Sequence, residues 1–322
     1  MVNEAWHLCQ TLPVSHTAEC DEVCLTLILR ITQLHLKVQD YKKLEEFAEI
    51  LLEFSRKVND TEREISALIH LAIARGVASD YKTAMPYFIE ALEKSQAMGL
   101  RYIAANCLIN IGNIYANFFN YEEALERYNR VLNEYADILS AETEVTINVN
   151  TGNLYYASEQ FSLSLDFLIR ASRLAEKLKS TPWVAYIYAL KSRTLLAMNR
   201  NESAVADAHK AAELMRNLNI STRGRQINLL NLAQIDFQTA DTEGATQRAL
   251  RGIAMARRVH DDTSEVRGFK LLADIYKQQK HYKKALRCQT IYAEKQADYL
   301  KTQRNMHTLD LEIRYALREK TK

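Results

Sequence analysis

The sequence predicts an all-α solenoid of about seven helix pairs that ends in a long C-terminal helix. A tyrosine, or a residue in its place, returns along the chain at five steps of forty residues and one of forty-one. This residue and the mostly small residue three places later form the pairs Tyr41/Leu44, Tyr81/Ala84, Tyr121/Ala124, Phe161/Ser164, Asn201/Ala204, Thr242/Ala245 and Tyr282/Ala285. A fixed period of this length is typical of stacked repeat proteins. Because the chain has only three prolines and eight glycines, long helices are permitted almost throughout.

The composition is that of a folded protein without a strong charge bias. Hydrophobic residues make up 48% and charged residues 25%, and the net charge of +2 gives no general attraction to nucleic acid or membranes. No stretch approaches the roughly twenty apolar residues that cross a bilayer, and the first ten residues do not form a secretion signal. The five scattered cysteines suit reduced thiols. We therefore expect a cytoplasmic protein with neither a membrane nor a nucleic-acid partner.

Each repeat is predicted to contain two helices, as residues 101–139 illustrate. In the first half, apolar residues recur at steps of three and four along one helical face: Ile103, Cys107, Leu108, Ile111 and Tyr115. A polar turn at 117–120 precedes a second apolar stripe that begins at Tyr121. Gly112 and Ala124 are small enough to let the two helices approach closely. Along the chain we predict a capping segment at 1–20, a repeat array at 21–297 and a C-terminal helical extension at 298–322.

The third repeat resembles the tetratricopeptide repeat. It carries a large residue at Leu108, then Ile111-Gly112, Tyr115, Ala124 and Tyr128 at the spacing of that signature. The resemblance spans about residues 21–295 and implies a right-handed superhelical solenoid of tetratricopeptide-like helix pairs. No repeat shows the closing proline, and the period is about six residues longer than usual. This departure resembles the long-repeat subclass found in cell-polarity adaptors, kinesin light chains, bacterial peptide-pheromone receptors and bacterial signalling proteins.

The resemblance also implies a function. In such solenoids the first helix of each pair lines the concave groove, where peptides bind. The chain is similar to the sensory or regulatory repeat region of bacterial signalling proteins such as diguanylate cyclases. We therefore predict a non-catalytic module that binds a peptide or protein segment in its concave groove. A passive assembly adaptor is the alternative, and an enzyme or a nucleic-acid-binding regulator is the alternative from a different class.

The candidate site is a set of polar residues on successive first helices. In the third repeat Asn106, Asn110, Asn113 and Asn117 follow steps of four, three and four, which place all four amides on one helical face. Asparagine is a poor helix former, and its amide offers both donors and acceptors to a peptide backbone. Further along the array the same face is predicted to carry Asn150, Asn153, Arg193, Asn231, Gln234, Arg267 and Asp274. The two arginines could receive a carboxylate or phosphate. Solvated groove residues, or amides that bond from helix to helix, are the structural alternative.

The C-terminal helix continues past the repeat pattern. Tyr299, Thr302, Met306, Leu309, Ile313 and Ala316 follow alternating steps of three and four, which is a heptad seam with a polar threonine in it. The seam is compatible with a homodimer through a coiled coil, and equally with a helix that folds back over the last repeat.

No catalytic motif is present in the sequence. We find no Gly-rich phosphate loop, no His-Glu-x-x-His helix and no serine elbow, so we expect neither an enzyme nor a cofactor. The nearest metal-like set is His7, Cys9, His16, Cys20 and Cys24. Its spacing matches no zinc finger, so we predict no metal site and leave zinc as the minor alternative.

Overall fold

The computed structural model describes residues 18–216, 218 and 224–320, and nearly all of them are helical. Fourteen helices follow one another in the described chain: α1 Ala18–Lys37, α2 Tyr41–Val58, α3 Thr61–Val77, α4 Tyr81–Ala97, α5 Arg101–Asn117, α6 Tyr121–Glu134, α7 Ala141–Ala157, α8 Phe161–Lys177, α9 Thr181–Ala197, α10 Asn201–Arg216, α11 Arg225–Gln238, α12 Thr242–Arg258, α13 Asp262–Gln278 and α14 Tyr282–Lys320. A short 3-10 helix, Ala136–Ile138, follows α6. Consecutive helices pack in pairs, which confirms the predicted all-α solenoid of seven pairs.

The seven second helices begin at the residues that define the sequence period. Helices α2, α4, α6, α8, α10, α12 and α14 start at Tyr41, Tyr81, Tyr121, Phe161, Asn201, Thr242 and Tyr282. Short turns set these starts. In the first one Gln39 takes a left-handed conformation, and the Asp40 side chain then accepts a hydrogen bond from the Lys43 backbone N–H. A left-handed residue recurs about every twenty residues at most of the described turns, and polar side chains such as Asp60, Asp80 and Asn120 cap many of the helices that follow.

Small residues allow close packing within each pair, as predicted. Ala84, Ala124 and Ala204 are fully buried. At Gly112 an added Cβ would lie 2.7 Å from Cε1 of Tyr128, so only glycine leaves room for the tyrosine ring. The Tyr128 hydroxyl then donates a 2.6 Å hydrogen bond to Oδ1 of Asn113. The aromatic side chain therefore fixes α6 against α5.

The chain divides into two compact units, which we describe separately. Unit 1 contains the chain up to Ile138 together with residues from Met306 onward, and unit 2 contains Leu139–Asn305. In unit 1 the core includes Leu44, Leu68 and Leu108, each fully buried. In unit 2 one apolar cluster joins residues of α7 to α11, and a second joins residues of α11 to α14. The domain boundaries stated from the sequence stay a prediction.

Helix α14 does not fold back over the last repeat, which corrects that expectation. Its residues up to Asn305 belong to unit 2, whereas its last part belongs to unit 1. Of the six seam residues only Ile313 is buried, and Thr302 and Ala316 are exposed. The physical reason is that the segment has a polar partner surface in unit 1, described below. A homodimer through this helix stays a prediction. Among the described helices, none is long and apolar enough to cross a membrane.

Candidate functional site

A row of polar side chains runs along the four first helices of unit 2. It consists of Asn153 on α7, Arg193 on α9, Asn231 and Gln234 on α11, and Arg267 on α13, and we call it the polar row. Hydrogen bonds join each helix to the next. Arg193 donates to Asn153, Asn231 donates to the Ala189 backbone carbonyl of α9, and Arg267 donates to both Asn231 and Gln234. These side chains, which the sequence period predicted to share one face of the array, are therefore adjacent in the structure.

Arg193 lies between an amide and an aromatic ring. Its Nη2 atom is 2.9 Å from Oδ1 of Asn153, and its Cζ atom is 3.9 Å from the centre of the Tyr156 ring. The Nε atom is buried and has no hydrogen-bond partner among the described residues. Stacking on an aromatic face fixes the plane of a guanidinium without neutralising its charge. The amide and the ring together therefore fix the orientation of the Arg193 side chain.

Arg267 is held by two neutral amides. Its Nη1 atom is 2.8 Å from Oδ1 of Asn231, and its Nη2 atom is 3.0 Å from Oε1 of Gln234. Burial lowers the pKa of the Arg267 guanidinium to about 10, and the positive charge of Arg193 acts in the same direction. Tyr156 and Asp261 act in the opposite direction without restoring the ordinary pKa. The two like charges are therefore close enough to affect each other.

Neither arginine has an acidic partner in direct contact. Among the described residues, no carboxylate oxygen lies within 4.0 Å of a nitrogen of Arg193 or Arg267. Other partly buried cations of unit 2 do have such partners: Lys191 contacts Asp207 at 3.1 Å, and Lys295 contacts Glu265 at 2.8 Å. Cations that are withdrawn from water are normally paired with an anion. The arginine pair, Arg193 and Arg267, departs from this rule.

The other predicted residues of unit 2 have different surroundings. Asn231 is fully buried, so its amide holds α11 against α9 and orients Arg267. Asn150 is partly buried on α7, and Asp274 is exposed on α13. Tyr156 was missed by the sequence reasoning. Its position three residues after Asn153 on the same helix was the signal that could have placed it on this face.

The asparagines of α5, in unit 1, do not form a row of this kind. Asn110 donates to the backbone carbonyl of Asn106 in its own helix, at 2.9 Å. Asn113 accepts from Tyr128 of α6, and Asn117 donates to the hydroxyl of Tyr81 in α4, at 3.1 Å. Three of the four are thus engaged with neighbouring protein groups. As binding residues they stay a prediction.

Other chemistry has little support in the described part of the chain. No group of three or more His, Cys, Asp or Glu side chains there could hold a metal ion. Of the N-terminal Cys/His set, His7, Cys9 and His16 lie outside the described residues, and Cys24 is a buried free thiol. Burial raises the pKa of the Cys107 thiol to about 12, which leaves it protonated and unreactive at neutral pH.

Comparison with known proteins agrees with the repeat pattern. Residues 104–142, which include nearly all of α5 and all of α6, match the tetratricopeptide repeat family. The match covers one repeat, and the helix array as a whole is a tetratricopeptide-like solenoid. No curated protein matches the sequence.

Solved structures of the same fold are similar to most of the chain. The apo form of RapI is similar with a TM-score of 0.67 at 12% identity, over 98% of this chain and 81% of that chain. A Rap protein complexed with competence and sporulation factor has a TM-score of 0.54 at 13% identity, over 94% of this chain and 98% of that chain. A tetratricopeptide repeat protein from Parabacteroides merdae has a TM-score of 0.56 at 13% identity, over 89% and 98%. At these identities the similarity shows the fold.

Proposed function

We propose that the chain is a non-catalytic binding module that holds a peptide or protein segment along the polar row of unit 2. The observation that carries this proposal is the arginine pair, which has charge, orientation and partial burial but no carboxylate partner within contact distance. A site of this kind costs free energy in the unbound protein, because like charges repel and each has lost water. A bound anion would remove that cost.

The chemistry of the pair favours a carboxylate of the bound segment. Guanidinium groups match carboxylate oxygens through paired N–H donors, and such charge-assisted bonds are stronger than those between neutral groups. Neutral amides flank the pair. Among the described residues, Nδ2 of Asn153 and Nε2 of Gln234 donate to no protein acceptor, so both are suited to the carbonyl groups of a peptide backbone. One acidic residue in an extended segment fits this arrangement.

The fold resemblance supports a proposal for the biological setting. A Rap protein of the same fold has been solved complexed with competence and sporulation factor, so the fold is compatible with a bound factor. We infer a sensory or regulatory role in a bacterial signalling protein, in which binding favours one conformation of the array. No observation on the described residues favours the adaptor role over this one.

The proposal is tested by selection followed by measurement. Peptides that bind the immobilised full chain are selected from a random twelve-residue library. The affinity of the selected peptides is then measured for the wild type and for the double variant Arg193→Gln/Arg267→Gln. We expect enrichment of Asp or Glu, and at least about tenfold weaker binding to the double variant, because one charge-assisted contact contributes about 1.5–3 kcal/mol. The matched control is Arg173→Gln/Arg287→Gln, which removes two exposed charges of unit 2. Equal affinity of the wild type and the site variant, with helical content unchanged, would contradict the proposal.

A further inference from the structure

The last part of α14 packs against the rest of unit 1 through one side of the helix only. Among Met306–Ala316, Asp310 and Ile313 are buried, with 2% and 3% of their surface exposed. Leu311 and Tyr315, on other sides of the helix, are 55% and 69% exposed. A buried aspartate on an otherwise exposed helix indicates a specific contact, because an unpaired carboxylate is not withdrawn from water.

The contact is made by polar groups of complementary chemistry. Nδ2 of Asn120, the cap residue of α6, donates to Oδ2 of Asp310 at 2.9 Å. Nη1 of Arg314 lies 3.1 Å from Oε1 of Glu123, and its Cζ lies 5.3 Å from the centre of the Tyr115 ring. A third, peripheral pair joins Lys82 and Glu312 at 3.4 Å. We call Lys82, Tyr115, Asn120 and Glu123 the helix seat.

These contacts differ from those that hold the repeats together. The repeats bury fully apolar side chains such as Leu44, Leu68 and Leu108. The seated segment buries one large apolar side chain, Ile313, and is otherwise held by polar contacts: the buried Asp310 carboxylate, the partly buried pair of Arg314 and Glu123, and the exposed pair of Lys82 and Glu312. Exposed ion pairs contribute little, since water and salt compensate for their loss. The segment is therefore specific in register but weakly held.

We propose that the helix seat is a docking site for an amphipathic helix with an aspartate and an arginine one turn apart, and that the chain's own segment Met306–Lys320 occupies it reversibly. The segment acts as an internal ligand that closes the helix seat to other helices until it detaches. This site is independent of the polar row, which lies in unit 2. A partner helix of the same chemistry would have to displace the segment.

Reversibility is tested first by hydrogen exchange of the full chain. Glu123→Arg places a cation opposite Arg314, so we expect faster amide exchange in residues 306–320 and unchanged exchange in α2 and α3. The control Glu122→Arg, at an exposed residue beside Glu123, should leave this exchange within about twofold of the wild type. Equal exchange of this segment in all three proteins would overturn the proposal.

The docking site is tested next with the segment itself as probe. A labelled peptide of residues 303–320 is titrated onto the full chain and onto its Asp310→Lys/Ile313→Asp variant, which frees the helix seat without altering it. We expect at least about tenfold tighter binding to the variant, because a tethered segment competes at an effective concentration on the order of millimolar. A probe that carries the same two substitutions should not bind. Failure of the unmodified probe to bind the freed variant would overturn the docking site, whatever the outcome for the polar row.

Discussion

Replacement of Gly112 by alanine tests how closely α5 and α6 are packed. The added Cβ would lie 2.7 Å from Cε1 and 3.0 Å from Cδ1 of Tyr128, whereas ordinary contact begins at 3.4 Å. The ring is 1% exposed, and its hydroxyl is bonded to Asn113 at 2.6 Å, so it cannot move without loss of that bond. Overpacking costs about 1–3 kcal/mol and a lost hydrogen bond about 1 kcal/mol, while alanine favours a helix by about 1 kcal/mol. We expect a net loss of about 2 kcal/mol.

Gly76→Ala is the matched control for this substitution. Gly76 also lies in a helix of unit 1, but an added Cβ there meets nothing within 4 Å. The same change should therefore stabilise the protein by up to about 1 kcal/mol through helix propensity alone. The measurement is urea unfolding followed by circular dichroism at neutral pH. A Gly112→Ala protein as stable as Gly76→Ala would refute the close contact between Gly112 and Tyr128.

Two further predictions concern stability. Burial lowers the pKa of His70 to about 4 from an ordinary value of 6.5, so the unfolded chain binds more protons below pH 6.5 and stability falls as pH falls toward 4. We expect this group to lower the free energy of unfolding by about 2 kcal/mol between pH 7 and pH 5, as measured by urea unfolding. A His70→Leu variant should not show this part of the pH dependence. A pH dependence identical in both proteins would contradict the burial of a neutral histidine. Ala240, in the turn after α11, has a φ of 66°, a conformation that favours glycine, so Ala240→Gly should raise the unfolding free energy by about 0.5–1 kcal/mol. The control Ala254→Gly, at an exposed site inside α12, should lower it by about 1 kcal/mol, and a loss of stability in both variants would argue against the left-handed turn.

The sequence was sufficient for the repeat architecture because local signals at every turn agree with the long period. Asp40, Asp80 and Asn120 each cap a helix that starts at the next residue, and those next residues are the tyrosines that define the period. Gly112 and Ala124 predicted the close approach inside the third pair, and the structure confirms it. Features that depend on capping, spacing and residue size are local, so a single sequence contains them.

The alignment of the polar row was predictable, but its hydrogen bonding was not. Side chains one period apart fall on the same face of successive helices, and the separations of the bonded pairs Arg193–Asn153 and Arg267–Asn231 are 40 and 36 residues. Periodicity does not determine which rotamer an amide adopts. Asn110 bonds within its own helix, whereas Asn231 is fully buried between helices. Those outcomes depend on the surrounding packing, which has no signature in residue spacing.

The docking of the C-terminal segment could not be predicted. The heptad seam indicates that one face of the helix is apolar enough to be covered, but spacing does not identify what covers it. Asn120 and Asp310, which meet in the structure, are 190 residues apart. A hydrogen bond between two polar residues at that separation leaves no pattern in one sequence.

The central claim is that the arginine pair receives a carboxylate of the bound segment. The most direct test is a double-mutant cycle by calorimetry, with the tightest selected acidic peptide and its Asp→Asn or Glu→Gln analogue against the wild type and Arg193→Gln/Arg267→Gln. A direct contact predicts that the peptide's charge matters only when the arginines are present, with a coupling of about 1.5–3 kcal/mol. Additive losses, with a coupling near zero, would show that the carboxylate and the arginine pair do not meet.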